Sequence, residues 1–289
     1  MRISEIFAAK RPVFSFEFFP PKTDKGAHKL MNTVSDLKMA HAPDFISVTS
    51  GAGGSTRDRT IGMVAGIQKE LGITTMAHQT CIASTREEIT RNMETFAEAG
   101  VQNVLALRGD TPNIEPGEES KPSDFRHANE LIEFLSEQNY DIDMGAACYP
   151  ESHPESPNGE EDLRWTEAKV AGGAGFLITQ LFFDNAKYFE FCRRAREAGI
   201  TVPIVPGIMP ITNLAQIERF TKMCGATLPE HLMGRLKRVA DDPALVMATG
   251  IEHAITQCRH LLAEGAPGIH FYTLNKSHAT RCVLAAVRY

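Results

Sequence analysis

The sequence predicts an α/β protein of the (βα)8 TIM-type barrel class, with residues 1–289 forming a single domain. Short apolar runs alternate with longer amphipathic stretches eight times along the chain. The runs are almost continuously apolar, which is typical of parallel strands buried on both faces. The length of 289 residues also suits this fold, which usually takes ~250 residues. A doubly wound open sheet is the alternative that this alternation leaves open.

The predicted strands are short apolar runs that end at polar or turn-forming residues. They cover 13–19, 45–49, 74–80, 104–107, 142–149, 176–180, 202–208 and 269–272. The predicted helices between and after them cover 25–39, 59–71, 86–99, 125–138, 162–171, 186–198, 214–223 and 244–264. We also expect a short helix or loop within 225–243, a closing helix over 277–287 and a polar loop over 111–121.

Residue types at the helix boundaries support these assignments. Residues 84–87, with the sequence STRE, fit a capping box, in which the first and last side chains bond to each other's backbone. Asp184 and Asn213 stand just before predicted helices and are expected to be N-caps.

Composition narrows the functional classes. The net charge of −6 argues against a nucleic-acid partner, because phosphate binding needs a basic face. No stretch approaches the ~20 apolar residues of a membrane span, and we see no signal peptide. The six cysteines form no Cys-x-x-Cys pair, which predicts reduced thiols in a cytoplasmic protein and no zinc cluster.

Glu17 is the most unusual residue of the chain. Residues 13–21 read VFSFEFFPP, so a carboxylate stands within an aromatic strand that stops at two prolines. Desolvation favours the protonated form of such a group. We therefore expect either a hidden partner for Glu17 or a carboxyl group whose pKa is raised for use as an acid.

Hydrogen-bonding or ionisable residues stand at nearly every predicted strand exit. These residues are Glu17, Thr49, His78, Thr80, Asp110, Tyr149, His153, Gln180 and Tyr272. Because the chemistry of a barrel lies at the carboxyl ends of its strands, we predict that they surround one functional cleft.

Two carboxylates of this set suggest divided roles. Glu17 is expected to hold a proton, whereas Arg108 is expected to keep the nearby Asp110 ionised. An ordinary ion pair between Asp110 and Arg108 is the alternative.

Residues 51–56, GAGGST, resemble a dinucleotide-binding loop but lack its third glycine. No lysine suited to a Schiff base and no histidine set with metal-ligand spacing is seen, so no metal is expected.

Eight segments in one order together resemble the methylenetetrahydrofolate reductase family. They are 16–21 (FEFFPP), 47–52 (SVTSGA), 78–81 (HQTC), 106–110 (ALRGD), 149–154 (YPESHP), 178–184 (ITQLFFD), 206–210 (PGIMP) and 271–275 (FYTLN). They are spread over almost the whole chain, which looks like the catalytic barrel alone, as in bacterial members.

The resemblance implies that FAD binds in the mouth of the barrel. The residues expected to bind it are Thr49, His78, Leu107, Arg108, Gly109, Asp110, Ala147, Tyr149, His153, Asp162, Lys169 and Ile178. The residues expected on the substrate side are Glu17, Gln180, Tyr272 and Lys276. The chain departs from the family pattern at Leu214, where an aromatic residue is usual, at Lys276, where arginine is common, and over 165–168.

The reaction that the resemblance implies has two halves. NADH or NADPH passes a hydride to FAD, and 5,10-methylenetetrahydrofolate then takes it and becomes 5-methyltetrahydrofolate. In this reading Glu17 supplies the proton that opens the folate ring, Asp110 stabilises the resulting cation, and the protein is a homo-oligomer. The physiological direction stays open.

The alternatives to this reductase function are a non-redox lyase or isomerase that uses Glu17 and Asp110 as acid and base, and a folate- or flavin-binding module.

Overall fold

Parallel strands form the wall of a barrel in the computed structural model, which describes residues 1–51, 57–110 and 121–288. The strands are β1 Val13–Phe18, β2 Phe45–Val48, β3 Thr74–Thr80, β4 Asn103–Leu107, β5 Asp143–Cys148, β6 Phe176–Thr179, β7 Ile204–Val205, β8 Gly207–Ile208 and β9 Gly268–Tyr272. Most of the dinucleotide-like loop at 51–56 and of the polar loop at 111–121 lies outside the described residues.

The strand order closes the sheet into a ring. It runs β7-β6-β5-β4-β3-β2-β1-β9-β8, and all pairings are parallel. β7 and β8 are the two halves of one predicted strand, interrupted at Pro206, which has no N–H to give to a ladder. One half pairs with β6 and the other with β9. The TIM-type barrel is therefore confirmed, and the open sheet was the wrong alternative.

Eleven helices accompany this ring in the described residues. They are α1 Ile3–Ala9, α2 Asp24–His41, α3 Arg57–Leu71, α4 Arg86–Glu98, α5 Ala128–Glu137, α6 Gly159–Ala171, α7 Asn185–Glu197, α8 Leu214–Cys224, α9 Glu230–Arg238, α10 Pro243–Ala263 and α11 Ser277–Val287. All the predicted helices are present, whereas α1 was not predicted. Within the described parts of the chain, no helix combines the length and the hydropathy that crossing a bilayer requires.

The caps follow the expected chemistry with one shift in register. Asp184 and Asn213 each accept a hydrogen bond from a backbone N–H in the first turn of their helix, as predicted. The capping box lies one residue later than predicted, because Thr85 and Glu88 bond to each other's backbone N–H. The hydroxyl of Ser84 instead donates a hydrogen bond to the carbonyl of Ile82, two residues before it.

Side chains alternate between two separate apolar clusters, as strand geometry requires. One set of strand residues points outward and packs under the helices, and Phe16, Phe18 and Phe271 belong to it. The other set fills the lower interior of the barrel, where Phe45 and Phe176 contact Phe7 of α1. The unpredicted helix α1 thus closes the amino-terminal end, and the opening lies at the other end.

Candidate active site

A cavity of about 610 Å³ opens at the carboxyl ends of the strands. Of the predicted site residues, it is lined by Glu17, Thr49, His78, Leu107, Arg108, Gly109, Asp110, Ala147, Tyr149, His153, Asp162, Lys169, Ile178, Gln180 and Tyr272. The structure therefore brings almost the whole predicted set to one opening, with a volume suited to a small-molecule ligand. Lys276 is not among the lining residues; it is exposed and precedes α11.

Glu17 faces the polar interior of the barrel and is not surrounded by the phenylalanines of its own strand. Phe16 and Phe18 are fully buried on the outward face of β1. Because side chains of a strand alternate, Glu17 points the opposite way, together with Ser15. The predicted aromatic environment is therefore wrong: the alternation separates the carboxylate from its sequence neighbours.

Two histidines from distant strands are the hidden partners of Glu17. Its Oε2 lies 3.2 Å from Nε2 of His78 on β3 and 3.4 Å from Nε2 of His270 on β9. Nδ1 of His270 in turn lies 2.8 Å from Oγ of Ser15. All four side chains are buried. We call Ser15, Glu17, His78 and His270 the proton cluster, because each member can hold or accept a proton.

The charge of this cluster differs from the prediction. Burial raises the pKa of Glu17, but the positive charge of His78 and the hydrogen bond from His270 outweigh it. The pKa of Glu17 is lowered from 4.5 to about 2 as a result. The expectation of a raised pKa was wrong, and Glu17 is a carboxylate at neutral pH.

The depressed pKa of Glu17 predicts a specific loss of stability in acid. A carboxylate whose pKa falls on folding stabilises the protein fully above its unfolded value of 4.5, and this contribution is lost as the pH falls toward 2. A shift of this size corresponds to about 3 kcal/mol. Unfolding by urea between pH 5 and about 2.5 should therefore show a steeper loss of stability for the protein than for Glu17→Gln. Equal slopes would contradict the pairing.

Sequence reasoning missed His270, although the signal was there. The predicted strand 269–272 carries a histidine within an apolar run, the same anomaly that marked Glu17. The pairing of β1 with β9 sets Ser15 opposite His270 and Glu17 opposite Tyr272. That register could not be obtained from either strand alone.

Arg108 pairs with Glu155 and not with Asp110. Its guanidinium donates two hydrogen bonds to the Glu155 carboxylate, which raise the pKa of Arg108 and lower that of Glu155. Asp110 is exposed and makes no hydrogen bond to any residue that the structure describes. The alternative of an ordinary ion pair between Arg108 and Asp110 was therefore wrong, and sequence reasoning missed Glu155. Asp110 remains available to a ligand.

Gly109 gives the cavity a stretch of bare backbone between these two residues. Its φ of +86° suits glycine, and a Cβ there would lie 2.8 Å from Cβ of Thr80. Both the conformation and the space thus require glycine, and its peptide groups can approach a flat ligand closely.

The wall formed by β5 and α6 carries several polar side chains. Nζ of Lys169 donates a hydrogen bond of 2.9 Å to the carbonyl of Ala147, and burial lowers the pKa of Lys169. Burial also lowers the pKa of His153 and raises that of Tyr149 to about 12. These two rings meet edge to face, with centroids 4.8 Å apart. Asp162 is buried on the same wall.

Gln180 and Tyr272 offer different surfaces to a ligand. Oε1 of Gln180 accepts a hydrogen bond from the N–H of Leu181, and its amide nitrogen has no partner among the described residues. The hydroxyl of Tyr272 is already used, because it donates to the carbonyl of Thr179 at 2.7 Å. Its ring lies over Gly207, where a Cβ would come within 2.6 Å of it. Gln180 can therefore donate a hydrogen bond, and Tyr272 can provide an apolar face.

Comparisons with solved structures agree with the barrel. A Clostridium thermocellum protein, described as binding two copies of 5-methyl-5,6,7,8-tetrahydrofolic acid, superposes with a TM-score of 0.66. The match covers 100% of this chain and 98% of that one at 14% sequence identity, which shows a shared fold.

Relatives found by sequence comparison have a higher sequence identity to this chain. "Probable methylenetetrahydrofolate reductase (NADH)" of Oryza sativa subsp. japonica is 37% identical over 98% of this chain, but the match takes up 49% of the rice protein. The chain thus spans about half the length of this relative. "5,10-methylenetetrahydrofolate reductase" of Salmonella typhimurium is 36% identical over 93% of this chain and 88% of its own length. Residues 2–288 match the family described as methylenetetrahydrofolate reductase. The chain therefore belongs to the methylenetetrahydrofolate reductase family.

Proposed function

We propose that this protein is a flavin-dependent oxidoreductase that reduces 5,10-methylenetetrahydrofolate to 5-methyltetrahydrofolate with NADH or NADPH. The observation that carries the proposal is that one cavity joins Glu17 and His78 of the proton cluster to a wall suited to a flavin. The family membership and the relatives named for NADH or NADPH support the same reaction.

The residues of the cavity fit FAD. Leu107, Ala147 and Ile178 give the apolar surfaces that a flat ring system needs. The peptide at Gly109 has no side chain to keep a ligand away, and the Arg108 guanidinium offers a cation for a phosphate. FAD bound there supplies a carrier for two electrons, which lets one opening serve both substrates in turn.

The proton cluster supplies the proton that the folate requires. Overall, one hydride from the nicotinamide and one proton from the cluster are added to methylenetetrahydrofolate. The proton goes to the nitrogen that leaves when the five-membered ring opens. Because Glu17 is a carboxylate at rest, the proton reaches the folate by a relay in which His78 or His270 transfers it to the Glu17 oxygen, which passes it on. Solvent restores the proton afterwards.

Charge and orientation come from further residues around the opening. The exposed carboxylate of Asp110 stabilises the positive charge that develops on the folate when its ring opens. The free amide nitrogen of Gln180 donates a hydrogen bond to the pterin or to the nicotinamide amide, whichever occupies the site. The ring of Tyr272 is fixed by its hydroxyl and provides a rigid face for the flat ligand.

An anaerobic absorbance experiment tests this function. The purified protein should show the yellow bands of FAD, lose them on addition of NADH or NADPH, and regain them when methylenetetrahydrofolate follows. A colourless protein that cannot be loaded with FAD would favour a non-redox barrel. A yellow protein that neither substrate bleaches or restores would favour a binding module. The homo-oligomer, the cytoplasmic location and the substrate contact of Lys276 stay predictions.

A further inference from the structure

The side chain of Asn275 joins the loop after β9 to the loop after β1. Its Oδ1 accepts a hydrogen bond of 2.8 Å from the N–H of Phe19, and its Nδ2 donates one of 2.9 Å to the Phe19 carbonyl. The two residues are 256 positions apart in the chain. A carboxamide has both an acceptor and a donor, so it can fix both backbone groups of one residue. We call this pair of hydrogen bonds the Asn275 bracket.

Thr273 attaches the same turn to the end of β1. Its hydroxyl donates a hydrogen bond of 2.6 Å to the carbonyl of Glu17, and its N–H donates to the same oxygen at 3.3 Å. The hydroxyl oxygen also accepts a hydrogen bond from the N–H of Asn275. The turn therefore holds the exit of β1 at two places, Glu17 and Phe19.

The backbone of this turn has a conformation that non-glycine residues rarely adopt. Leu274 has a φ of +50° and Asn275 a φ of +59°. Asparagine tolerates the left-handed region, whereas a leucine there is strained. Such strain persists where surrounding contacts impose it, and it is frequent at ligand sites. Since Leu274 lines the cavity, the turn belongs to the opening of the barrel.

Phe19 is the residue that the bracket holds in place. Its side chain is 45% exposed and lines the cavity together with Glu17. The alternation of side chains puts residues 17 and 19 on the same side of the chain. Neither β1 nor β9 is a neighbour of β4, β5 or β6, which carry the apolar surfaces proposed for the flavin. The Phe19 ring therefore stands on the substrate side, next to the carboxylate of the proton cluster.

We propose that Asn275 is a positioning residue for the folate half of the reaction. It acts through Phe19, whose ring it fixes as an apolar wall against a flat ring of the folate. The inference rests on the proposed function, because it takes methylenetetrahydrofolate as the substrate. An aromatic contact of this kind contributes up to about tenfold to affinity, so the effect belongs in KM.

A double-mutant cycle on the FAD-loaded protein tests this role. Phe19→Ala should raise the KM for methylenetetrahydrofolate about tenfold, and Phe19→Tyr, which keeps the ring, should restore most of the loss. Asn275→Gly keeps the left-handed backbone but removes the amide, and it should raise the same KM by a similar factor. The double variant should be no worse than Phe19→Ala, because both changes remove one contact. The kcat and the affinity for FAD should stay close to their original values.

Asn139→Gly is the matched control. Asn139 also has a left-handed φ, of +53°, but it is exposed in the loop between α5 and β5, at the end of the barrel away from the opening. This variant should keep the KM, the kcat and the FAD affinity. The positioning role is refuted if Asn275→Gly leaves the KM of the active enzyme unchanged or weakens FAD binding. Additive effects of the two substitutions would also refute it, because Asn275 would then not act through Phe19.

Hydrogen exchange at the amide of Phe19 separates this inference from the proposed function. The Asn275 bracket predicts slow exchange of that amide in the protein and fast exchange in Asn275→Gly, whatever the protein binds. Equal exchange in both proteins would refute the bracket. A protein that holds no flavin or reduces no folate refutes the proposed function instead, and the exchange measurement then decides on the bracket by itself.

Discussion

Glu17→Gln is expected to slow the folate half of the reaction by about 10²- to 10⁴-fold, the range typical of lost acid–base catalysis. Glutamine keeps the size of the side chain but cannot pass a proton from His78 or His270. The nicotinamide half needs no proton from this cluster, so bleaching of FAD by NADH or NADPH should be nearly unchanged. Anaerobic stopped-flow absorbance measures the two halves separately.

Ser15→Ala is a matched control for this substitution. It removes the hydroxyl that lies 2.8 Å from Nδ1 of His270 but leaves the Glu17 carboxylate in place. We expect an intermediate loss confined to the folate half, because His270 is then less well oriented. Normal folate turnover by Glu17→Gln would remove Glu17 from the proton path. Equal damage to both halves would show that the substitution disturbs flavin binding instead.

Gly268→Ala is expected to destabilise the barrel by about 3 kcal/mol or more, because it forces β1 and β9 apart. A Cβ at residue 268 would lie 1.9 Å from the carbonyl oxygen of Val13, and backbone cannot rotate away as a side chain can. For a chain of this size we expect a decrease in Tm of about 10 °C. Since β9 carries His270 and Tyr272, folded material should also show weakened folate turnover.

Gly62→Ala serves as the control for this prediction. Gly62 is exposed within α3, and nothing lies within 4 Å of the Cβ that alanine would add. Alanine is the better helix residue by roughly 0.5–1 kcal/mol, so the change should be neutral or slightly stabilising. A Gly268→Ala protein with the Tm of Gly62→Ala would show that the strands tolerate the wider spacing.

The sequence predicted the barrel well because its periodicities are local. Each strand and each longer helix carries its own apolar pattern, and the strand exits carry the polar residues that meet at the opening. The helix α1 was missed, because seven residues are too few to show a helical period. Its role is also non-local, since it closes the end of the barrel through contacts with strand residues far along the chain.

The chemistry of the site was less predictable, because it depends on pairings between distant residues. Glu17 and His270 are 253 positions apart, and Arg108 and Glu155 are 47 apart. The sequence neighbours of Glu17 predicted an apolar environment and a protonated carboxyl group, and both predictions were wrong. The alternation of side chains along a strand predicts the correct environment, because Phe16 and Phe18 must point away from the side to which Glu17 points.

The charge of the Glu17 carboxyl group decides between the proton cluster and an acid role for Glu17 alone. Infrared difference spectra between the protein and Glu17→Gln at neutral pH, with and without carboxyl ¹³C labelling of glutamate, report that charge directly. We predict a carboxylate band that is lost in the variant and persists as the pH is lowered well below 4.5, in keeping with a pKa near 2. A protonated carboxyl band from Glu17 at neutral pH would contradict the proton cluster and return the acid role to Glu17 alone.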